Sequence, residues 1–183
     1  MFEDLLPEDA AGRAALAAHY QLLQKWNRTL NLTRIEDIER NYGESLFLGR
    51  HLPTGAVRIC DIGSGAGFPG FPVAILRPDC EVTLIEAHQR KAVFLKEAAR
   101  TVGNIRVIPK RAEDVADKFD LAMSRAVSDV DLSAVLPRLA PRVALLTGGE
   151  DPKIPGFSWA QPFPLPGSRN RFLRVGVSRE TEY

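Results

Sequence analysis

Little in this sequence points to metal or disulfide chemistry. Its 183 residues hold two cysteines, Cys60 and Cys80. Two cysteines do not make a disulfide framework, and a reduced, intracellular chain is the expectation. His19, His51 and His88 fall into no triad pattern, and no zinc-ligand spacing is present, so no metal is expected. No apolar run approaches the length needed to span a membrane. The opening Met1-Phe-Glu-Asp-Leu-Leu-Pro-Glu-Asp is acidic and lacks an apolar segment, so no signal peptide is expected and the location reads as cytoplasmic. An excess of one charge sign is missing too. Lys and Arg total 24 and Asp and Glu 23, a net +1 that says nothing by itself about nucleic acid. No internal repeat is found. The length suits one α/β domain over 1–183, with an N-terminal helical extension (1–52), a core (53–183) and a monomeric state.

The apolar pattern organises that domain. Leu16, Tyr20, Leu23 and Trp26 fall at helical spacing and predict an amphipathic helix over about 8–27, followed by a second over 35–49. Strands are predicted at 57–62, 81–86, 104–108, 119–124 and 142–147, with helices near 70–76, 89–101, 111–116 and 129–137. This alternation implies right-handed crossovers and a parallel, doubly wound sheet. Trp159–Phe163 and Arg171–Val177 predict a closing antiparallel pair, after a loop at 148–155.

What the chain does have is Asp61-Ile-Gly-Ser-Gly-Ala-Gly-Phe-Pro-Gly70, directly after an apolar strand. Gly63, Gly65 and Gly67 supply the backbone freedom for a tight turn and close approach of a ligand. A strand, such a turn and a helix form the nucleotide corner of a doubly wound sheet, with an acidic residue for a ribose about 20 residues on. Glu86 fits that place. Gly65-x-Gly67-x-x-Gly70 matches the dinucleotide fingerprint in a poor frame, since counting from Gly63 puts Phe68 at the third glycine. Pro69 and Pro72 offer no N–H to a phosphate where the helix should open. Asp61 at the mouth of the turn would repel a pyrophosphate and attract a cation. S-adenosylmethionine, with a sulfonium, an ammonium and a ribose diol, suits the site better than a nicotinamide dinucleotide.

Together Asn31-Leu-Thr33, the Asp61–Gly70 segment, Leu84-Ile-Glu86, Arg90-Lys91-x-x-Phe94-Leu95, Arg111-Ala-Glu113 and Ser124-Arg-Ala126 resemble the RsmG family, also called glucose-inhibited division protein B. The similarity runs in order from about Lys25 to Val127. It implies a Rossmann-like class I methyltransferase fold with an N-terminal helical extension, S-adenosylmethionine as cofactor, and methylation of a guanine N7 in small-subunit (16S) ribosomal RNA. The family's Arg-His pair before an acidic-Ser motif reads Arg40-Asn41 before Glu44-Ser45 here, and a lysine usual after the later helices is replaced in Leu146-Thr147-Gly148.

Residues after the predicted strands should meet in one cleft. Asp61, Gly63, Ser64, Gly65, Gly67, Phe68 and Glu86 are the expected cofactor contacts, Phe68 facing either the methionine part, the entering base or the core. The resemblance puts Ala112 and Glu113 beside the adenine, and Arg125 between methyl donor and target base. An arginine directly after an apolar strand is otherwise explained by an ion pair, for which Asp129 and Asp131 are the nearest partners. Arg90 and Arg111, with Lys91 and Lys110, read as cations that position RNA, and Arg169, Arg171 and Arg174 as an extension of that surface. The alternatives are a methyltransferase on a small molecule or protein, a nicotinamide-dependent oxidoreductase, and a binding module without turnover.

Overall fold

Parallel pairing of β1 (Arg58–Ile62) with both β2 (Glu81–Ile85) and β4 (Leu121–Arg125) forms the centre of the sheet. The computed structural model describes residues 3–55 and 57–181; Met1 and Phe2, at the head of the acidic N-terminal stretch, lie outside the described residues. β3 (Ile105–Ile108) and β5 (Arg142–Thr147) extend the sheet on either side. β8 (Phe172–Ser178) joins β5 antiparallel, and β6 (Phe157–Trp159) then pairs with β8, giving the order β3-β2-β1-β4-β5-β8-β6. The short β7 (Phe163–Pro164) also pairs with β8. The strand expected over Trp159–Phe163 is therefore two short pieces, interrupted at Ala160-Gln161-Pro162. β8 does not close against them as an outer hairpin; it inserts between β5 and β6.

Strand alternation divides the core between the two faces of the sheet. Ile59, Leu84, Met123 and Leu146 pack with Leu23, Leu48, Val73 and Phe94 on one face. Cys60, Ile62, Ile85 and Ala122 pack with Leu132, Val135 and Leu136 on the other. The first face is covered by α1 (Ala10–Leu30), α2 (Ile38–Arg50), α3 (Gly70–Leu76) and α4 (Gln89–Ala99), the second by α5 (Asp129–Leu139). The N-terminal helices are thus a layer of the core, packed on α3 and α4. The helix predicted over 111–116 is a single 3-10 turn, Ala112–Asp114.

Asp9 starts α1 by accepting the Gly12 N–H at 2.6 Å, and Asn31 ends it in the left-handed region at φ 47°. The buried face of α1 is Gly12, Leu16, His19 and Leu23. Tyr20, expected on that face, is 40% exposed. Both +3 and +4 from Leu16 suit a helical stripe, and the imidazole takes the inner place. No helix of the described residues is long and apolar enough to cross a membrane.

Candidate active site

The glycine turn joins the carboxyl end of β1 to α3. Its conformation is the one the three glycines predict, with φ of 70° at Gly63, 57° at Gly65 and 91° at Gly67. The turn is closed by its own backbone. Gly63 and Ser64 donate N–H groups to the Ile85 carbonyl at 3.0 and 3.1 Å, and Gly67 and Phe68 donate to the Ser64 carbonyl at 2.8 and 3.1 Å. Gly65 N–H donates to Glu86 Oε2 at 2.8 Å, and His88 N–H to Glu86 Oε1 at 2.7 Å. A carboxylate oxygen accepts more than one hydrogen bond, so Glu86 keeps acceptor capacity at the lip of the turn. The N–H groups of Gly63, Ser64, Gly65, Gly67 and Phe68 are consumed within the protein, and a phosphate would have to compete with Glu86 for that of Gly65. A Cβ added at Gly65 would meet nothing nearer than the Gly63 carbonyl, 3.9 Å away, so the bare backbone there faces open space.

Three expected contacts are buried within the protein. Asp61 is 0% exposed, and its Oδ2 accepts the Gly70 N–H at 2.9 Å, so it pins the start of α3 instead of facing a cationic ligand. The alternation of β1 sends its side chain to the face that α3 covers. Burial lifts its carboxyl to about 7, partly offset by the hydrogen bond from the Gly70 N–H. Phe68 is folded into the core, edge-on to Tyr42 at 4.9 Å between ring centroids. Ser64 is buried and its hydroxyl donates to the Asp61 carbonyl at 3.0 Å, a brace within the turn.

His19 was not legible as part of this site. Its Nε2 lies 3.2 Å from the Ala66 carbonyl and its Nδ1 meets the Tyr42 hydroxyl. A carbonyl can only accept, so Nε2 carries the proton and Nδ1 accepts from Tyr42. The ring stacks on Phe71 at 4.0 Å, and a Cβ on Gly67 would come within 3.2 Å of Nε2. Burial lowers its pKa to about 3, so the imidazole is neutral. α1 and α2 thereby clamp the glycine turn from the side opposite its open face.

β4 carries the second part of the site. The Ser124 hydroxyl donates to the Ile62 carbonyl at 2.9 Å and ties the ends of β4 and β1 together. Ala126 is held at φ 59°, a conformation an L-residue keeps only when its surroundings impose it. Between them Arg125 Nε lies 3.5 Å from Glu44 Oε2. The ion pair expected with Asp129 or Asp131 is made instead with Glu44 of α2. That carboxylate is 1% exposed and takes a two-pronged contact from Arg171, at 2.6 and 2.8 Å. Arg171 therefore uses the good hydrogen-bond geometry, and Arg125 Nε is buried without a hydrogen-bond partner. Burial lowers the Arg125 pKa, the Glu44 charge opposes that, and Arg171 and Arg40 add to it. Arg171 is raised, chiefly by its hydrogen bond to Glu44.

The remaining cations separate. Arg90 and Arg111 are exposed at α4 and after β3, and β2 and β1 stand between β3 and β4. Three strand spacings of about 4.8 Å put the ends of β3 and β4 roughly 14 Å apart across the sheet, so Arg111 and Arg125 start from different sides of the cleft. Ala112 and Glu113 sit in the turn after β3, their carbonyls held by Arg138 Nη2 at 2.9 and 3.0 Å. Arg174 is not a surface cation: it is 4% exposed and paired with Asp151. A cavity of about 400 Å³ opens between the ends of β4 and β5, lined by Arg125, Ser128, Asp129, Thr147 and Arg171 among others. A larger one of about 790 Å³ lies among the N-terminal elements and holds none of the strand-end residues.

Residues 13–141 match the family model described as GidB, rRNA small subunit methyltransferase G. A ribosomal RNA small subunit methyltransferase G from Halorhodospira halophila is 40% identical over 154 residues, 79% of this chain and 73% of that one. One from Neisseria gonorrhoeae is 41% identical over 122 residues, covering 63% of this chain and 58% of that protein. The chain thus spans about three fifths to three quarters of these relatives' length. Among solved structures, magnesium protoporphyrin IX methyltransferase from Synechocystis PCC 6803 with bound SAM superposes with a TM-score of 0.62 at 10% identity, over 87% of this chain and 97% of that one. The Methanococcus jannaschii fibrillarin pre-rRNA processing protein superposes at 0.56 and 17% identity, over 67% and 66%. These likenesses show the fold, a Rossmann-like methyltransferase sheet.

Proposed function

The chain belongs to the rRNA small subunit methyltransferase G family, and we propose that it transfers the methyl group of S-adenosylmethionine to N7 of a guanine in small-subunit ribosomal RNA. The observation that carries the cofactor half is the closed glycine turn: its N–H groups serve Ile85, Ser64 and Glu86, while the Glu86 carboxylate stands ready beside it. That arrangement fits a ribose diol on bare backbone and does not fit a pyrophosphate, which disfavours the nicotinamide alternative. Glu86 would hold the ribose hydroxyls, Gly63 and Gly65 would lie against the ligand, and the turn at Ala112–Glu113 would border the adenine.

Bound S-adenosylmethionine supplies an electrophilic methyl group on a sulfonium. Guanine N7 has a lone pair and no proton to lose, so the protein needs no general base and contributes chiefly orientation. Arg125 is the residue for that task, because Glu44 anchors it by charge at the buried Nε while its side chain lines the cavity at the end of β4. Arg90 and Arg111 act at a distance as phosphate contacts that fix the RNA's register. The target base must be looped out, since a stacked duplex hides it. Calorimetry with S-adenosylhomocysteine and with NADH tests the cofactor: binding of NADH and not of the thioether would reverse the assignment. Labelled methyl transfer to small-subunit RNA tests the substrate.

A further inference from the structure

Resting on the methyl-transfer reading, we propose that Asp129 and Arg125 together select guanine by reading its Watson–Crick edge in the cavity between β4 and β5. Both residues line that cavity, of about 400 Å³, and also the smaller pocket that continues it toward Leu145 and Leu146. They are not each other's partner. Arg125 is held by Glu44. Asp129 is held by the backbone of the loop that closes the cavity, its Oδ2 accepting the Lys153 N–H at 2.7 Å. Among the described residues its Oδ1 takes no hydrogen bond. Of the other carboxylates nearby, Asp131 accepts from Ser128 and Asp151 pairs with Arg174, while Glu150 is almost fully exposed to solvent beside Lys153. Of the charged residues that line the cavity besides Glu150, Arg171 is bound to Glu44 and Asp151 to Arg174, which leaves Arg125 and Asp129 as a guanidinium and a carboxylate each fixed by a third group and each with hydrogen-bonding capacity left.

That pair complements one base edge. Guanine offers O6 as acceptor, beside N1–H and the 2-amino group as donors. A guanidinium suits O6, and a carboxylate suits the two donors. Adenine reverses the pattern, with a donor at its 6-position and an acceptor at N1, and would set like against like at both residues. The topology agrees with the reaction. The cavity lies on the β5 side of β4, and the glycine turn lies on the β1 side. A guanine with its Watson–Crick edge in the cavity keeps its Hoogsteen edge, which carries N7, uncovered and free to face the turn.

The test uses small-subunit RNA carrying guanosine or inosine at the methylated position, assembled by splint ligation after the wild-type protein has been used to map that position. Inosine keeps N7, O6 and N1–H and lacks only the 2-amino group. The wild type should prefer guanosine by roughly tenfold or more in kcat/KM, the scale of one hydrogen bond to a charged group. Asp129→Asn keeps the shape and one oxygen for the Lys153 N–H, but turns an amide N–H toward the base. Its guanosine-to-inosine ratio should fall to near one, with S-adenosylhomocysteine affinity and melting unchanged. Asp131→Asn, on the same helix and outside the cavity lining, should keep the wild-type ratio. An unchanged ratio in Asp129→Asn, or a wild type indifferent to inosine, overturns the assignment. No transfer by the wild type to the guanosine RNA overturns the methyl-transfer reading itself, and this assignment with it.

Discussion

Glu44 lies 3.5 Å from Arg125 Nε yet receives no hydrogen bond from it, while Arg171 donates to both carboxylate oxygens at 2.6 and 2.8 Å. The consequence is a division of labour between two arginines on one buried charge. Arg171 satisfies the carboxylate, and Arg125 borrows its field.

Arg125→Ala should therefore lower methyl transfer by roughly 10- to 100-fold, the worth of one hydrogen bond to a charged group, and change melting little, since Glu44 keeps Arg171. Arg125→Lys should not restore the rate, because a point charge cannot reproduce the planar fork. Glu44→Gln should behave in the opposite way and cost about 3 kcal/mol or more of stability, since it leaves two guanidinium groups facing each other without a counter-charge. Labelled methyl transfer and thermal melting on the three variants separate the effects. Equal destabilisation by Arg125→Ala and Glu44→Gln would make Arg125 a structural member of the cluster.

Glu86→Ala should weaken S-adenosylhomocysteine by about 1.5–3 kcal/mol. The loss should be smaller for an analogue lacking the ribose 2′-hydroxyl, and calorimetry on both ligands gives the comparison. Because Glu86 also accepts from Gly65 and His88, part of the loss will be shared by both. Identical losses would limit Glu86 to bracing the turn.

Most of the sheet was legible because its central strands are continuous apolar runs ending in recognisable turn residues. Each observed strand of the parallel part begins and ends within about two residues of its predicted place. The site was legible only where the backbone itself dictates it, as at the positive φ of Gly63, Gly65 and Gly67. Period-two alternation says that Asp61 and Ile59 share a face, but not that α3 seals that face over. The Glu44 carboxylate meets Arg171 across 127 positions, a contact set by how α2 packs on the sheet at β5 and by no local pattern. His19 went unread for the same reason: its partners Tyr42 and Ala66 belong to other elements.

His19→Leu should unlock the glycine turn. It leaves the Ala66 carbonyl and the Tyr42 hydroxyl without their partner, a cost of about 1–3 kcal/mol for each buried group. It should also alter the acid response. The folded pKa of about 3 lies below the ordinary 6.5, so this histidine's contribution is present above pH 6.5 and is lost as the pH falls toward 3. Melting between pH 7 and pH 4 should therefore fall more steeply in the wild type than in His19→Leu. Parallel curves would show that the imidazole titrates freely.

Gly63→Val should abolish cofactor binding. The residue sits at φ 70°, and an added Cβ would come within 2.8 Å of Val127 Cγ2. The turn would have to shift where the ligand is held against it, and a β-branched side chain tolerates that φ poorly. Calorimetry with S-adenosylhomocysteine on the folded variant is the check, and wild-type affinity would remove the turn from the cofactor site.

The most direct measurement incubates the purified protein with S-adenosylmethionine labelled in its methyl group and small-subunit ribosomal RNA, digests the RNA to nucleosides, and identifies the labelled product by mass spectrometry. The account predicts a single labelled nucleoside, 7-methylguanosine, formed by the wild type and reduced at least tenfold by Arg125→Ala. Label on another atom or base, or an Arg125→Ala protein that methylates at the wild-type rate, would contradict it.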